Sequence, residues 1–200
     1  MSARLLQVAL LSLTPTLFLT APAAGSEDGA EYLVLGARGY ETRHTLRFHF
    51  SAGDGWRMTE PAHRSARFND VPFEVSLSAF LRDDEAIMIH AEHVADQSGA
   101  ANYDRFPATD WPVGGFRGEQ AQCHEFPASV VAEEHDLAWL DRHGFSPVGA
   151  MWIEQHFLSG NNYNDEIVVS LIVRGESCDD ADEPAQEFAR MRESLSANPR

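Results

Sequence analysis

The stretch 167–173 constrains the fold of this chain more than any other, because it is apolar on both of its alternating faces. Successive residues of a strand point to opposite faces of a sheet, so a strand of this kind has no polar face to turn to water. We therefore expect it to lie centrally in a sheet that other elements cover on both sides.

Further strands are indicated by alternation. Apolar and polar side chains alternate over 45–50, where Phe48 and Phe50 share a face, and again over 73–81. Asp83 and Asp84 can form a tight turn into the next strand. A polar loop over 159–164 predicts a hairpin between the last two strands. The predicted strands cover residues 32–35, 45–50, 73–81, 86–94, 148–158 and 166–173.

Two helices are also predicted. Ser129 caps the first, and Gly144 ends it. Asp182 and Pro184 open the last helix, whose apolar stripe is formed by Phe188, Met191 and Leu195. The fold class is α+β: a curved, mostly antiparallel sheet of about six or seven strands with two helices packed on it.

A long loop over 96–118 separates these regions. It contains two prolines and four glycines and shows little periodicity. Long loops in compact domains are functional or poorly ordered. Tyr103 and Trp111 lie within it, so we expect the loop to pack against the body of the protein.

The amino terminus has the pattern of a secretory signal. Arg4 is the only charge in the first 26 residues, an apolar run follows it, and small residues flank Pro22. An uncleaved membrane anchor is the alternative, although the run is short for a bilayer span. We expect a signal peptide over 1–23, a flexible lead-in over 24–30 and one α+β domain over 31–197, located in the periplasm or secreted.

Charge narrows the choice of partners. Acidic residues outnumber basic ones 31 to 15, the formal net charge is −16, and all the basic residues are arginine. An acidic surface repels phosphate backbones, so no nucleic-acid partner is expected. No later stretch is long and apolar enough to enter a membrane, so no membrane insertion of the mature chain is expected.

Two cysteines, Cys123 and Cys178, lie 55 residues apart. An even cysteine count in an exported protein predicts a disulfide. The alternative is a reactive Cys123 beside His124. Adjacent strand residues point to opposite faces, so His124 is poorly placed to act as its base.

Histidines and glutamates in 87–96 resemble a metal motif at first sight. The segment alternates like a strand, which puts His90 and His93 on opposite faces and His90 and Glu92 on one. Zinc hydrolases use a different spacing on a helix. The acidic segment 161–166 does not match a calcium loop either. We expect no metal and no cofactor.

A wider set of polar strand residues provides the candidate ligand-binding site. Two of its histidines are accompanied by a glutamate two residues away on the same strand face, and histidine can donate or accept near neutral pH. If the polar faces coincide, they furnish a binding or acid–base site; otherwise they form an ordinary solvent-facing side of the sheet. The candidates are His49, His90, Glu92, Trp152, Glu154 and His156.

The functional expectation follows from these features together. The chain has no nucleophile elbow, no C-x-x-C and no glycine-rich phosphate loop. We expect an exported, soluble, non-enzymatic protein that binds a small molecule or an envelope protein, with the 96–118 loop involved. The alternative is a small acid–base or metal-assisted enzyme that uses His90 and Glu92. The sequence leaves the oligomeric state open.

Overall fold

A computed structural model describes residues 30–179 and 184–200. The predicted signal peptide over 1–23 and nearly all of the lead-in over 24–30 lie outside the described residues, as does Asp182.

The described residues form twelve strands and three helices. The strands are β1 (Leu33–Gly36), β2 (Gly39–Thr42), β3 (Phe48–Ala52), β4 (Arg57–Met58), β5 (Ala62–Phe68), β6 (Val71–Arg82), β7 (Glu85–Val94), β8 (Ala108–Thr109), β9 (Phe116–Phe126), β10 (Gly149–Ser159), β11 (Asp165–Arg174) and β12 (Leu195–Pro199). The helices are α1 (Ala128–Glu133), α2 (His135–Arg142) and α3 (Ala185–Ser194).

The strands make two antiparallel sheets. In the eight-stranded sheet the order is β4-β6-β7-β11-β10-β9-β8, and β5 also pairs with β6. The four-stranded sheet has the order β1-β2-β3-β12. Strand β11 lies between β7 and β10 and is buried along nearly its whole length, so the central position predicted for 167–173 is confirmed.

Two apolar layers cover the large sheet, one on each face. On one face Val169 packs in a cluster with Phe50 of the small sheet and Met191 of α3. On the other, Val168 shares a cluster with Leu140 of α2 and other apolar residues around that helix. Each large apolar side chain buried in these layers contributes about 1.5–3 kcal/mol relative to exposure.

The antiparallel α+β character is confirmed, but the predicted strand and helix numbers are wrong. The additional strands lack a clear apolar alternation. For example, β4 and β8 have two residues each, and β5 is polar and half-exposed. Strand β3 begins only at Phe48, although Phe48 and Phe50 are buried together as predicted.

Helix boundaries also differ from the prediction. Pro127, not Ser129, occupies the N-cap position of α1, and Glu134 adopts an extended conformation that separates α1 from α2. Gly144 does follow the end of α2, with a positive φ of 83°. Leu195 belongs to β12 rather than to the last helix, because that segment pairs with β3.

The segment 96–118 packs down on the sheet through its aromatic residues, as the sequence predicted. The ring of Tyr103 stacks on Phe157 of β10 with 4.3 Å between centroids. Trp111 donates from Nε1 to the carbonyl oxygen of Arg192 in α3. The segment therefore bridges both faces of the large sheet near the β9 edge.

The predicted disulfide between Cys123 and Cys178 is present, with a Cα–Cα distance of 5.6 Å. It ties β9 to the segment that follows β11. Among residues 30–179 and 184–200, the helices are all too short or too polar to cross a membrane.

Removing this crosslink should reduce stability substantially. The bond closes a loop with a sequence separation of 55. A double Cys123→Ser, Cys178→Ser variant should lose about 4 kcal/mol of unfolding free energy, because the unfolded chain gains the entropy of the opened loop. Urea denaturation measures this loss, with chemically reduced wild type as control. Equal unfolding free energies for the variant and the oxidised protein would contradict the prediction.

Candidate functional site

The six candidate residues do not converge on one polar face. His156 pairs in register with Val169 of β11, whereas His90 pairs with Val168. Neighbouring residues of a strand point to opposite faces, so His90 and Glu92 lie on one side of the large sheet and Glu154 and His156 on the other. A joint site that combines these two pairs is therefore not formed.

His90 and Glu92 belong to a buried polar cluster beneath α2. Both side chains are 1% exposed, and Nδ1 of His90 is 3.6 Å from Oε1 of Glu92. Nε2 lies 3.7 Å from Oδ2 of Asp136, and Nη2 of Arg64 donates to Oδ1 of the same carboxylate at 3.0 Å. Burial lowers the pKa of His90, and this outweighs the opposing influence of Asp136. The cluster connects α2 to the sheet, and its histidine and carboxylate side chains are almost completely buried.

His93 is turned to the other face, as the alternation predicted. Its Nδ1 lies 2.6 Å from Oδ1 of Asp165, which is its register partner on β11. Over the described parts of the chain, no group of three or more His, Cys, Asp or Glu side chains is arranged to hold a metal ion.

His49 lies apart from both pairs. It is in β3 of the small sheet, in register with Glu41 on one neighbour and Asn198 on the other. Because Phe48 and Phe50 point into the core between the sheets, His49 points away from it.

Glu154 and His156 line a cleft of about 610 Å³. The cleft lies where β10 meets β8, β9 and the end of α3, and Trp152 lies on the same face of β10. Its polar lining comes from Thr109, Trp111, Glu119, Gln120, Glu154, His156 and Arg192, and Gly118 also lines it.

A chain of charged hydrogen bonds fixes the floor of this cleft. Nη1 of Arg192 donates to both carboxylate oxygens of Glu154, at 2.6 and 2.5 Å. Nε2 of His156 lies 2.5 Å from Oε1 of the same carboxylate. Burial by itself would raise the pKa of Glu154, but the hydrogen bonds from His156 and Arg192 outweigh it and hold that pKa below its usual value. Glu154 is therefore an ionised carboxylate with two donors.

Trp111 closes one side of the cleft over the imidazole. Its ring centroid is 4.6 Å from that of His156, at an interplanar angle of 66°. Because its Nε1 also donates to the backbone of Arg192, Trp111 links the loop to the helix that supplies the guanidinium.

The second imidazole nitrogen of His156 is buried but accepts no hydrogen bond. The missing side chain at Gly118 leaves room for one carbon beside it, since a β-carbon there would make ordinary contacts of 3.4 Å with Nδ1 and 3.6 Å with Cγ2 of Thr109. Buried polar atoms are nearly always paired, so an unpaired one on a side chain that lines a cleft indicates a ligand position.

A β-bulge lies directly opposite Glu154. Ile153 pairs with Gln122 and Gln155 with Glu119, so two residues of β9 face the single residue Glu154. Bulges occur often beside functional sites, where they interrupt the ladder and redirect side chains.

The sequence indicated part of this cleft and missed the rest. The period of two correctly put Glu154 and His156 on one strand face, and Trp111 was marked as an anchor of the loop. Arg192 was not found, because its contact with Glu154 joins residues 38 apart in the chain. Gly118 carried no signal, since its role depends on the imidazole opposite.

Comparison with models of protein families, with curated proteins and with solved structures finds no match to this chain. Function is therefore inferred from the geometry of the cleft.

Replacing Glu154 by glutamine should destabilise the protein in a pH-dependent way. At neutral pH the variant should lose about 2 kcal/mol of unfolding free energy, because the charge-assisted hydrogen bonds from Arg192 and His156 are weakened. The stabilisation by ionised Glu154 is present above 4.5, the usual glutamate pKa, and is lost as the pH falls through the lower pKa of the folded state. Urea denaturation measures the unfolding free energies of wild type and Glu154→Gln as a function of pH. The difference between them should become smaller as the pH falls from 4.5 through the lower pKa of folded Glu154.

Glu41→Gln is the matched control, since Glu41 also pairs with an arginine but is 36% exposed in its side chain. It should change stability by less than about 1 kcal/mol. A Glu154→Gln variant as stable as Glu41→Gln would contradict the account of the charged chain.

Proposed function

We propose that this protein is an exported, non-enzymatic binding protein of the periplasm or the extracellular medium, and that its cleft holds a small molecule. In this proposal residues 1–23 are the signal peptide, and 31–197 form one α+β domain. The signal pattern and the disulfide support export, because disulfides form and persist in oxidising compartments.

The unpaired Nδ1 of His156 carries the proposal. Leaving a buried polar atom without a partner costs about 1–3 kcal/mol, so a fold that keeps one in the lining of a cleft favours a ligand that pairs with it. Glu154 and Arg192 already hold the imidazole in place. A ligand therefore meets an oriented acceptor and spends little free energy on ordering it.

The size and position of the cleft favour a small molecule over a protein partner. Its volume of about 610 Å³ lies in the range of small-molecule pockets. The 96–118 loop supplies Thr109 and Trp111, which agrees with a functional role for that long segment.

The alternative, an acid–base enzyme at His90 and Glu92, has little support. Both side chains are 1% exposed, and α2 lies over them. Proton transfer to a substrate needs hydrogen-bond distance, which this cover prevents. Titratable side chains do line the cleft, namely Glu119, Glu154 and His156, so the test of binding includes recovery of the compound.

The proposal is tested by thermal-shift screening with a mixed library of neutral, cationic and anionic compounds. Wild type should be stabilised by at least one compound, and Gly118→Ala should reduce that stabilisation because its methyl group would take up the room beside Nδ1. Gly114→Ala is the matched control, since a β-carbon at 114 meets nothing within 4 Å.

The bound compound is then released by denaturing the protein, and its mass is measured by mass spectrometry and compared with that of the compound added. Unchanged mass supports a binding protein. A library without any Gly118-sensitive compound would contradict the proposed function, and conversion of the compound that depends on His156 would replace it by an enzymatic one.

A further inference from the structure

We propose that the ligand of this cleft is a neutral polyhydroxyl compound, a saccharide in chemical class. This inference rests on the proposed binding function and names the ligand of the same site. It is carried by the two kinds of hydrogen-bonding group that the cleft presents side by side.

The first group requires a donor. Nε2 of His156 is within 2.5 Å of an ionised carboxylate oxygen, so Nε2 carries a proton. Among the described residues, no acceptor for a second proton lies within hydrogen-bond distance of the buried Nδ1. Nδ1 therefore presents a lone pair, and a ligand atom that reaches it must bring a hydrogen.

The second group requires an acceptor. The side chain of Arg192 is 33% exposed, and toward the described residues its guanidinium donates through Nη1 to Glu154. Guanidinium has five N–H groups and cannot accept a hydrogen bond. The remaining N–H groups can bind only a ligand oxygen or another acceptor.

A hydroxyl group satisfies both requirements, because one oxygen donates a hydrogen and accepts others. An ammonium group can only donate, so it leaves the remaining N–H groups of Arg192 without an acceptor, whereas a carboxylate can only accept and leaves Nδ1 without a donor. The charges of Glu154 and Arg192 balance within their ion pair, Glu119 adds a carboxyl group to the lining, and the chain as a whole carries −16. The electrostatics therefore disfavour an anionic ligand, and the need for an acceptor toward Arg192 disfavours an ammonium group.

Adjacent hydroxyls on one ring reach both groups at once, and the half-buried indole of Trp111 gives the apolar side of such a ring a surface to pack on. Saccharides combine hydroxyls with an apolar face in this manner. Both a free sugar and the end of a longer glycan have this chemistry.

The test is isothermal titration calorimetry of the disulfide-bonded protein with a panel of neutral sugars: glucose, galactose, mannose, N-acetylglucosamine and their β-1,4-linked dimers. Each neutral sugar that binds is repeated as its uronic acid and as its 2-amino sugar, which keep the ring and change the charge. Glucuronate and glucosamine are such counterparts of glucose.

At least one neutral sugar should bind, and both charged counterparts should bind about tenfold or more weakly, the loss expected for one hydrogen bond of this kind. Gly118→Ala should reduce the affinity for the neutral sugar by a similar factor, and Gly114→Ala should leave that affinity unchanged. Tighter binding of the dimer assigns the end of a glycan chain, and equal binding assigns a free sugar; each supports the proposal.

The proposal is overturned if no neutral sugar binds, or if a uronate or amino sugar binds as well as its neutral form. In either case a Gly118-sensitive compound from the mixed library still leaves the binding function in place. Without any such compound, the binding function and the ligand class fail together.

Discussion

The double cover of the large sheet is the constraint on which the rest of this structure depends. Strands β10 and β11 are buried on both faces, one against the small sheet and α3 and the other against α2 and its surroundings. Polar side chains on these strands and on β7 therefore lie in one of two separate layers. His90 lies near Asp136 beneath α2, whereas His156 is held by Glu154 on the opposite face. The same alternation that builds the core keeps these histidines apart.

The cleft exists because this cover is incomplete at the β9 edge of the sheet. The bulge opposite Glu154 interrupts the pairing of β9 and β10, and glycine at position 118 leaves a space next to the imidazole. Arg192 of α3 binds the carboxylate of Glu154, and Trp111 of the 96–118 segment packs on the imidazole ring of His156. The result is a rigid polar site with one unpaired acceptor, and its orientation is fixed before any ligand arrives.

Strand patterning predicted the part of this fold that depends on local alternation. It identified the central strand over 167–173, the turn at Asp83 and Asp84, and the shared face of Glu154 and His156. It could not determine which faces of different strands coincide, because that depends on pairing register across the sheet. It missed β12 since the apolar pattern of α3 continues into Leu195, and it missed Arg192 because α3 reaches Glu154 only through the tertiary fold.

The proton positions on His156 test the central claim most directly. Long-range proton–nitrogen NMR of labelled protein at neutral pH, assigned by comparison with His156→Gln, reports which imidazole nitrogen carries hydrogen. The account predicts a protonated Nε2, held by Glu154, and an unprotonated Nδ1. A proton on Nδ1 would contradict it, because the cleft would then present no vacant acceptor to a ligand.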